Sequence, residues 1–207
     1  MTMAKEKRRA DGPDRRNERS GPAPFQLESL AAQVGDQRYP PVHKWHPEFC
    51  GDIDMRIARD GTWYYMGTPI TRKRLVRLFS TVLRHDADGR FYLVTPVEKL
   101  GIVVDDAPFL AVAMERLGDG GDQTLTFRTQ TDDLVTADAD HPIRVDVDPD
   151  TGEPSPYVLV RDRLEALIHR PVFYDLVDLA VPRRVDGGDV LGVWSGGAFH
   201  PLGSAEA

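Results

Sequence analysis

The residues best suited to chemistry form a small set of cations and aromatics: Arg56, Trp63, Tyr65, Arg72, Arg74 and Trp194, with Ser195 beside the last. Aromatic faces can hold a flat base, at about 1–3 kcal/mol per stacked base in nucleic-acid binders, and fixed cations can hold a phosphate. Such a set could hold a base and a phosphate, while Trp and Tyr are also good strand formers and an Arg–Tyr pair is a common cross-strand contact. Nucleophilic chemistry has thinner support. Ser195 lies in Trp-Ser-Gly-Gly197 without the spacing of a nucleophile elbow, and His200 would have to reach it across a hairpin. Ser-Gly-Gly reads more simply as a turn, so a hydrolase acting through Ser195 is only a third reading. Cys50 stands near Asp52 and Asp54, which would raise its thiol pKa, and it reads as a small buried residue. His43 and His46, with Cys50, Asp52 and Asp54, match no common zinc spacing. Asp105-Asp106 and Asp132-Asp133 each point to opposite sides of an extended chain. No glycine loop of phosphate-binding form precedes a helix, and Gly118–Asp122 carries two acids that repel phosphate. The expectation is no catalytic residue, no metal and no cofactor.

The elements that must position the cations and aromatics lie between Cys50 and Phe79. Ile53, Met55 and Ile57 alternate with polar residues, Asp60-Gly61 is a two-residue turn signal, and Thr62–Met66 supplies an aromatic strand. A two-residue turn pairs Ile57 with Tyr64, Met55 with Met66, Arg56 with Tyr65 and Ala58 with Trp63. That register displays Arg56, Trp63 and Tyr65 together on one face. Thr71 then caps a helix whose Leu75, Leu78, Phe79, Val82 and Leu83 form a buried stripe. Arg72, Lys73 and Arg74 crowd its first turn, where cations oppose the helix dipole and call for negative charge, from a ligand or from carboxylates elsewhere in the chain.

The chain has 207 residues, 41% hydrophobic, enough for one large or two small domains with a real core. Met1–Pro24 holds seven basic and four acidic residues and almost nothing apolar, and reads as a disordered basic leader. The remainder carries 19 basic and 29 acidic residues, which argues against a duplex nucleic-acid surface. The longest apolar run, Phe109–Met114, is too short for a membrane span, and a single cysteine suits a reducing cytoplasm.

A short amphipathic helix is expected over Phe25–Val34, then a proline-rich loop that Trp45 pins to the body. Strands follow over Arg90–Thr95 and Gly101–Asp105, a hairpin joins Phe109–Leu117 to Gln123–Thr129, and another closes the chain around Ser195-Gly-Gly197. Arg170–Ala180 reads equally as extended or helical. Ile143, Val145 and Val147 echo Ile53, Met55 and Ile57 at a spacing of 90, and Arg161, Arg163, Leu164 and Leu167 echo Arg72, Arg74, Leu75 and Leu78 at 89. The echo predicts a duplication, with a second helix over Arg161–Leu167. The expected fold is α+β, with two small, mostly antiparallel sheet-plus-helix domains at 25–105 and 106–207 and a ligand groove between them.

Trp45, Cys50-Gly-Asp-Ile-Asp54, Asp60-Gly-Thr-Trp-Tyr64, Gly67-Thr-Pro-Ile70, Leu93-Val-Thr-Pro-Val-Glu98, Ala107-Pro-Phe109, Arg170-Pro-Val-Phe-Tyr174 and Gly192-Val-Trp-Ser-Gly-Gly197 stand in order along the chain. These blocks resemble a bacterial family known as domain of unknown function family 1285, over about residues 25–203. The resemblance implies a duplicated α+β architecture with a C-terminal half loosely like a pleckstrin-homology fold. It also implies a binding site at the domain interface for a nucleotide-like ligand in signalling, and no established activity. The leading expectation is therefore a cytoplasmic, non-catalytic sensor of a small anionic ligand. The alternative is a protein-interaction module without a small ligand.

Overall fold

The structure is a computed structural model that describes residues 39–185 and 188–204. The leader over 1–24 and the helix expected over 25–34 lie outside the described residues. Among those described, fifteen strands and two α-helices make three sheets.

The first sheet holds β1 (Phe49–Ile57), β2 (Trp63–Tyr65), β3 (Thr68–Pro69), β4 (Leu83–His85), β5 (Phe91–Val94) and β6 (Lys99–Val104) in the order 3-2-1-6-5-4. Two antiparallel meanders therefore meet edge to edge, and the parallel pair β1/β6 is the seam. The second sheet holds β7 (Phe109–Leu117), β8 (Thr124–Thr129), β9 (Leu134–Thr136), β10 (Ile143–Val147), β11 (Pro154–Arg161) and β12 (Leu164–Ile168). Its order, 10-11-12-7-8-9, is the same topology, with β7/β12 as the parallel seam. The third sheet is the meander β13 (Val181–Val185), β14 (Gly188–Ser195) and β15 (Ala198–Ser204), and β15 packs beside β10. The fold is thus two-part, sheet-rich and mostly antiparallel, with few helices.

Helix α1 (Lys73–Thr81) joins the meanders of the first sheet, and α2 (Arg170–Val177) follows the second sheet. Thr71 does not cap α1: Arg72 is its N-cap residue and makes no side-chain cap. Phe79, Val82 and Leu83 are buried as their spacing required, although the helix stops at Thr81 and Leu83 belongs to β4. The helix expected over Arg161–Leu167 is instead the β11–β12 hairpin, turned at Asp162 with φ +47°. Leu164, Ala166, Leu167 and Ile168 are all buried because β12 sits at the centre of its sheet, and a strand covered on both faces loses its period-2 signature. The repeated topology also pairs β1 with β7, whereas the sequence echo paired β1 with β10.

Trp45 packs against the core as expected, and its carbonyl accepts a hydrogen bond from Arg84 Nη1 at 2.7 Å. One continuous core joins the halves, running from Met55, Trp63 and Phe79 to Phe109, Phe127, Ile168 and Val193. No described helix is long and apolar enough to cross a membrane.

Candidate functional site

The β1–β2 hairpin decides which side chains are available for chemistry. The register is Met55 opposite Tyr65, Arg56 opposite Tyr64 and Ile57 opposite Trp63, one residue from the pairing expected of a two-residue turn. The loop holds three residues, because the Ala58 and Thr62 backbones pair (Ala58 N–H to Thr62 O, 2.9 Å) and Gly61 takes φ +81°. The Asp60 carboxylate accepts the Thr62 N–H at 2.9 Å, and the two hydrogen bonds to Thr62 hold its pKa below the usual carboxylate value. A one-residue shift moves every side chain of β2 to the other face.

Trp63 consequently lies in the core, 1% exposed and stacked on Phe79 with ring centroids 6.3 Å apart. Tyr65 is half-buried against the same core. Arg56 remains on the outer face with Tyr64, whose ring centre lies 5.5 Å from the guanidinium carbon. Its charge is met by Asp105 through a two-pronged pair (Nη2–Oδ2 2.6 Å, Nε–Oδ1 2.9 Å), which lowers the Asp105 pKa and raises that of Arg56. Arg72 and Arg74 are exposed at the start of α1, and among the described residues no carboxylate faces them. Trp194 sits on the outer face of β14, at 5.4 Å from Phe199 and under Arg183 at 4.7 Å. Ser195 is fully buried: its hydroxyl donates to the Ala137 carbonyl (2.6 Å) and accepts the Leu125 N–H (2.8 Å). That hydroxyl clamps the hairpin to the second sheet. The β14–β15 turn at Gly196-Gly197 is as expected.

The expected ligand set is therefore spread over separate surfaces and the core. Cys50 is exposed rather than buried. Among the described residues, no group of three His, Cys, Asp or Glu side chains is set to hold an ion.

A different set of residues lines a cavity of about 570 Å³ between the halves. The N-terminal half contributes Arg59 and Asp60 from the hairpin tip. The C-terminal half contributes a floor of Leu110, Leu167 and Ile168, walls of Pro154, Pro156, Phe173 and Tyr174, and a rim of Glu153, His169 and Arg170. The floor is apolar because it is the seam β7/β12 seen end-on beside α2. Tyr174 is 59% exposed, so one ring is free to meet a ligand. Arg59 pairs within the first half with Asp106 (3.2 Å) and crosses to the Ser155 hydroxyl (2.8 Å) of the second, and Tyr157 crosses back to donate to Asp106 at 2.8 Å. Burial, then that bond, pushes the Tyr157 pKa up to about 12. Arg170 pairs with Glu153 at 2.7 Å. His169 is the N-cap residue of α2 and makes no side-chain cap, so the first-turn N–H groups add positive potential at the rim.

This chemistry can accept a flat or apolar body on Tyr174 and the prolines, with an anionic end at the rim. The block Arg170-Pro-Val-Phe-Tyr174 was visible in the sequence, and Pro171 in the first turn is a helix-start signal that decides helix over strand there. Arg59 carried no sequence signal, since it is an ordinary turn-flanking cation until the fold brings β11 beside it.

The profile of the DUF1285 N-terminal domain, a domain of unknown function, matches residues 40–107, and that of the C-terminal domain matches residues 108–202. The chain belongs to the DUF1285 family. A crystal structure of a DUF1285 family protein from Silicibacter pomeroyi DSS-3 is 54% identical, with a TM-score of 0.80, covering 87% of this chain and 96% of that one. A DUF1285 family protein from Shewanella baltica OS155 is 27% identical over 61% of this chain and 91% of that one, with a TM-score of 0.48. A comparison with curated proteins finds no match. The boundary between the two DUF1285 domains, at 107/108, falls directly before β7 and beside the cavity.

Proposed function

We propose that this DUF1285 protein binds a small anionic, nucleotide-like ligand in the groove between its halves and acts as a non-catalytic sensor in bacterial signalling, in the cytoplasm. The observation that carries the reading is the interdomain cavity, whose size is that of ordinary small-ligand sites and whose wall combines an exposed tyrosine with Arg59, His169 and Arg170. The mechanism is ligand-biased packing of the halves. Arg59, held by Asp106 of its own half, reaches across to Ser155, so a ligand that changes its contacts changes the joint. The two sheets of one strand order are taken as copies of a duplicated unit, and the likeness of the C-terminal half to a pleckstrin-homology fold belongs to the same reading.

The test is thermal unfolding of the full chain against nucleotides, cyclic nucleotides and common metabolites. A ligand at about 100 times its Kd adds about 2.7 kcal/mol, a shift of several degrees at about 2–4 °C per kcal/mol. Tyr174→Ala is expected to abolish the shift while leaving the unliganded protein folded. A flat response across the panel refutes the sensor. The second reading, a protein-interaction module, rests on the exposed face where Arg183 stacks on Trp194 and Phe199. A saturable protein partner lost in Arg183→Ala, with no response to any small ligand, would favour it.

A further inference from the structure

The ion pair at the cavity mouth carries more than its own weight. Arg59 is held by Asp106 and the Ser155 hydroxyl, and the Asp60 carboxylate is engaged by the Thr62 N–H of its own turn. Arg170 differs, since its one ion-pair partner among the described residues is Glu153, and both side chains are exposed (66% and 60%). Glu153 ends the β10–β11 turn, which is built on Asp148: its carboxylate accepts the Asp150 and Thr151 N–H groups at 2.9 and 2.8 Å, and the Gly152 N–H donates to its carbonyl at 2.8 Å. The Glu153 carboxylate takes no part in that network. It can swing off Arg170 without unmaking the turn.

We infer that Glu153 stands where the anionic group of a ligand binds, and that the groove takes a flat monoanion in exchange for it. This rests on the ligand-binding reading above. With Glu153 in place, Arg59 is met by Asp106 and Arg170 by Glu153, and Asp60 leaves the mouth one charge negative apart from His169. Once Glu153 turns out, one cation at the mouth is uncovered above an apolar floor. A single negative charge on an aromatic body satisfies that arrangement. A polyphosphate does not, because Asp60 stays at the rim and Glu153 remains close by on its turn. An exposed ion pair is weak enough to be exchanged in this way. Glu153 thereby acts as a built-in competitor that sets the ligand threshold, and its release is the local event that ligand binding would transmit to the β10–β11 turn.

The test uses calorimetric titration of the full chain with three probes that share a base: adenosine (neutral), 3′,5′-cyclic AMP (monoanion) and ATP (polyanion). Wild-type protein is expected to prefer cyclic AMP. Glu153→Gln is expected to tighten cyclic AMP by about twofold to fivefold, the factor that corresponds to losing one exposed carboxylate competitor, with adenosine unchanged. Arg170→Gln is expected to erase the preference of cyclic AMP over adenosine. Wild-type binding of cyclic AMP with no gain in Glu153→Gln, or tighter binding of ATP, overturns the exchange while leaving the groove as a binding site. Absence of binding by all three probes to both wild type and Glu153→Gln overturns the groove reading and the exchange with it.

Discussion

Replacing Ser195 by alanine separates a structural role from a catalytic one. The hydroxyl is fully buried and bridges the hairpin β14–β15 to the second sheet through the Leu125 N–H at 2.8 Å and the Ala137 carbonyl at 2.6 Å. Those two backbone groups belong to the same residue pair as the Ala137 N–H to Leu125 O bond of 2.9 Å, so the hydroxyl bridges the other side of that pair. Alanine removes both bonds and leaves a donor and an acceptor buried. Each such group costs about 1–3 kcal/mol, so the expected destabilisation is about 2–6 kcal/mol. In urea the midpoint should fall with an unchanged slope, because the surface exposed on unfolding is the same. Heating should show a loss of roughly 4–24 °C, from about 2–4 °C per kcal/mol. A change below about 0.5 kcal/mol would refute the clamp, since that is the range of ordinary surface substitutions. Loss of a hydrolytic turnover with stability intact would revive the nucleophile.

Other consequences follow from packing and titration. Trp63→Ala should cost about 3–5 kcal/mol in denaturant, because the indole is 1% exposed on Phe79, whereas Arg56→Ala should barely move the midpoint; the reverse order would restore the register with Trp63 outside. Gly192→Ala should destabilise by about 1–3 kcal/mol, since a Cβ there meets the His200 carbonyl at 2.5 Å and the Phe199 ring at 2.6 Å. Gly101→Ala meets only the ends of the Asp52 and Arg90 side chains and should be the milder of the two in the same melt. His200 is buried and accepts the Ile143 N–H, and burial lowers its pKa below the free value of 6.5. The folded state therefore binds fewer protons than the unfolded state in that window. Its contribution is full above about pH 6.5 and declines as the pH falls below it towards the depressed folded value. His200→Asn should flatten that part of the stability profile in a pH series of urea melts, and a profile that keeps its slope would contradict the assignment.

Local pattern was enough for most of the strands. The alternation in β1, the apolar stripe of α1, the Asp86–Gly89 turn and the Gly196-Gly197 turn all fall where residue type demands. The failures share a physical cause. Asp60-Gly61 reads as a two-residue turn, yet the Asp60 carboxylate and the left-handed Gly61 stabilise a three-residue loop, and that single residue put Trp63 on the wrong face. The Arg161–Leu167 stretch matched a helix because a strand buried on both sides has no polar face to betray its period. The residues lining the cavity were harder still. Arg59, Glu153 and Arg170 are unremarkable charges along the chain, and they become a rim only after the hairpin tip, the β10–β11 turn and α2 converge. No local pattern in the sequence tells which side chains line that cavity.

The parallel seams impose an order on synthesis. In each sheet the first strand made is partnered by the last, so β7 must wait until β12 emerges to cover its open edge: Ala111 is in register with Ile168, roughly 60 residues later. At about 5–20 residues per second that edge, which carries the apolar run from Phe109 to Ala113, stands uncovered for roughly 3–12 s. The first sheet, by contrast, closes with β6 before β7 is made. The sheet of the first half can thus be complete while the central edge of the second still stands open.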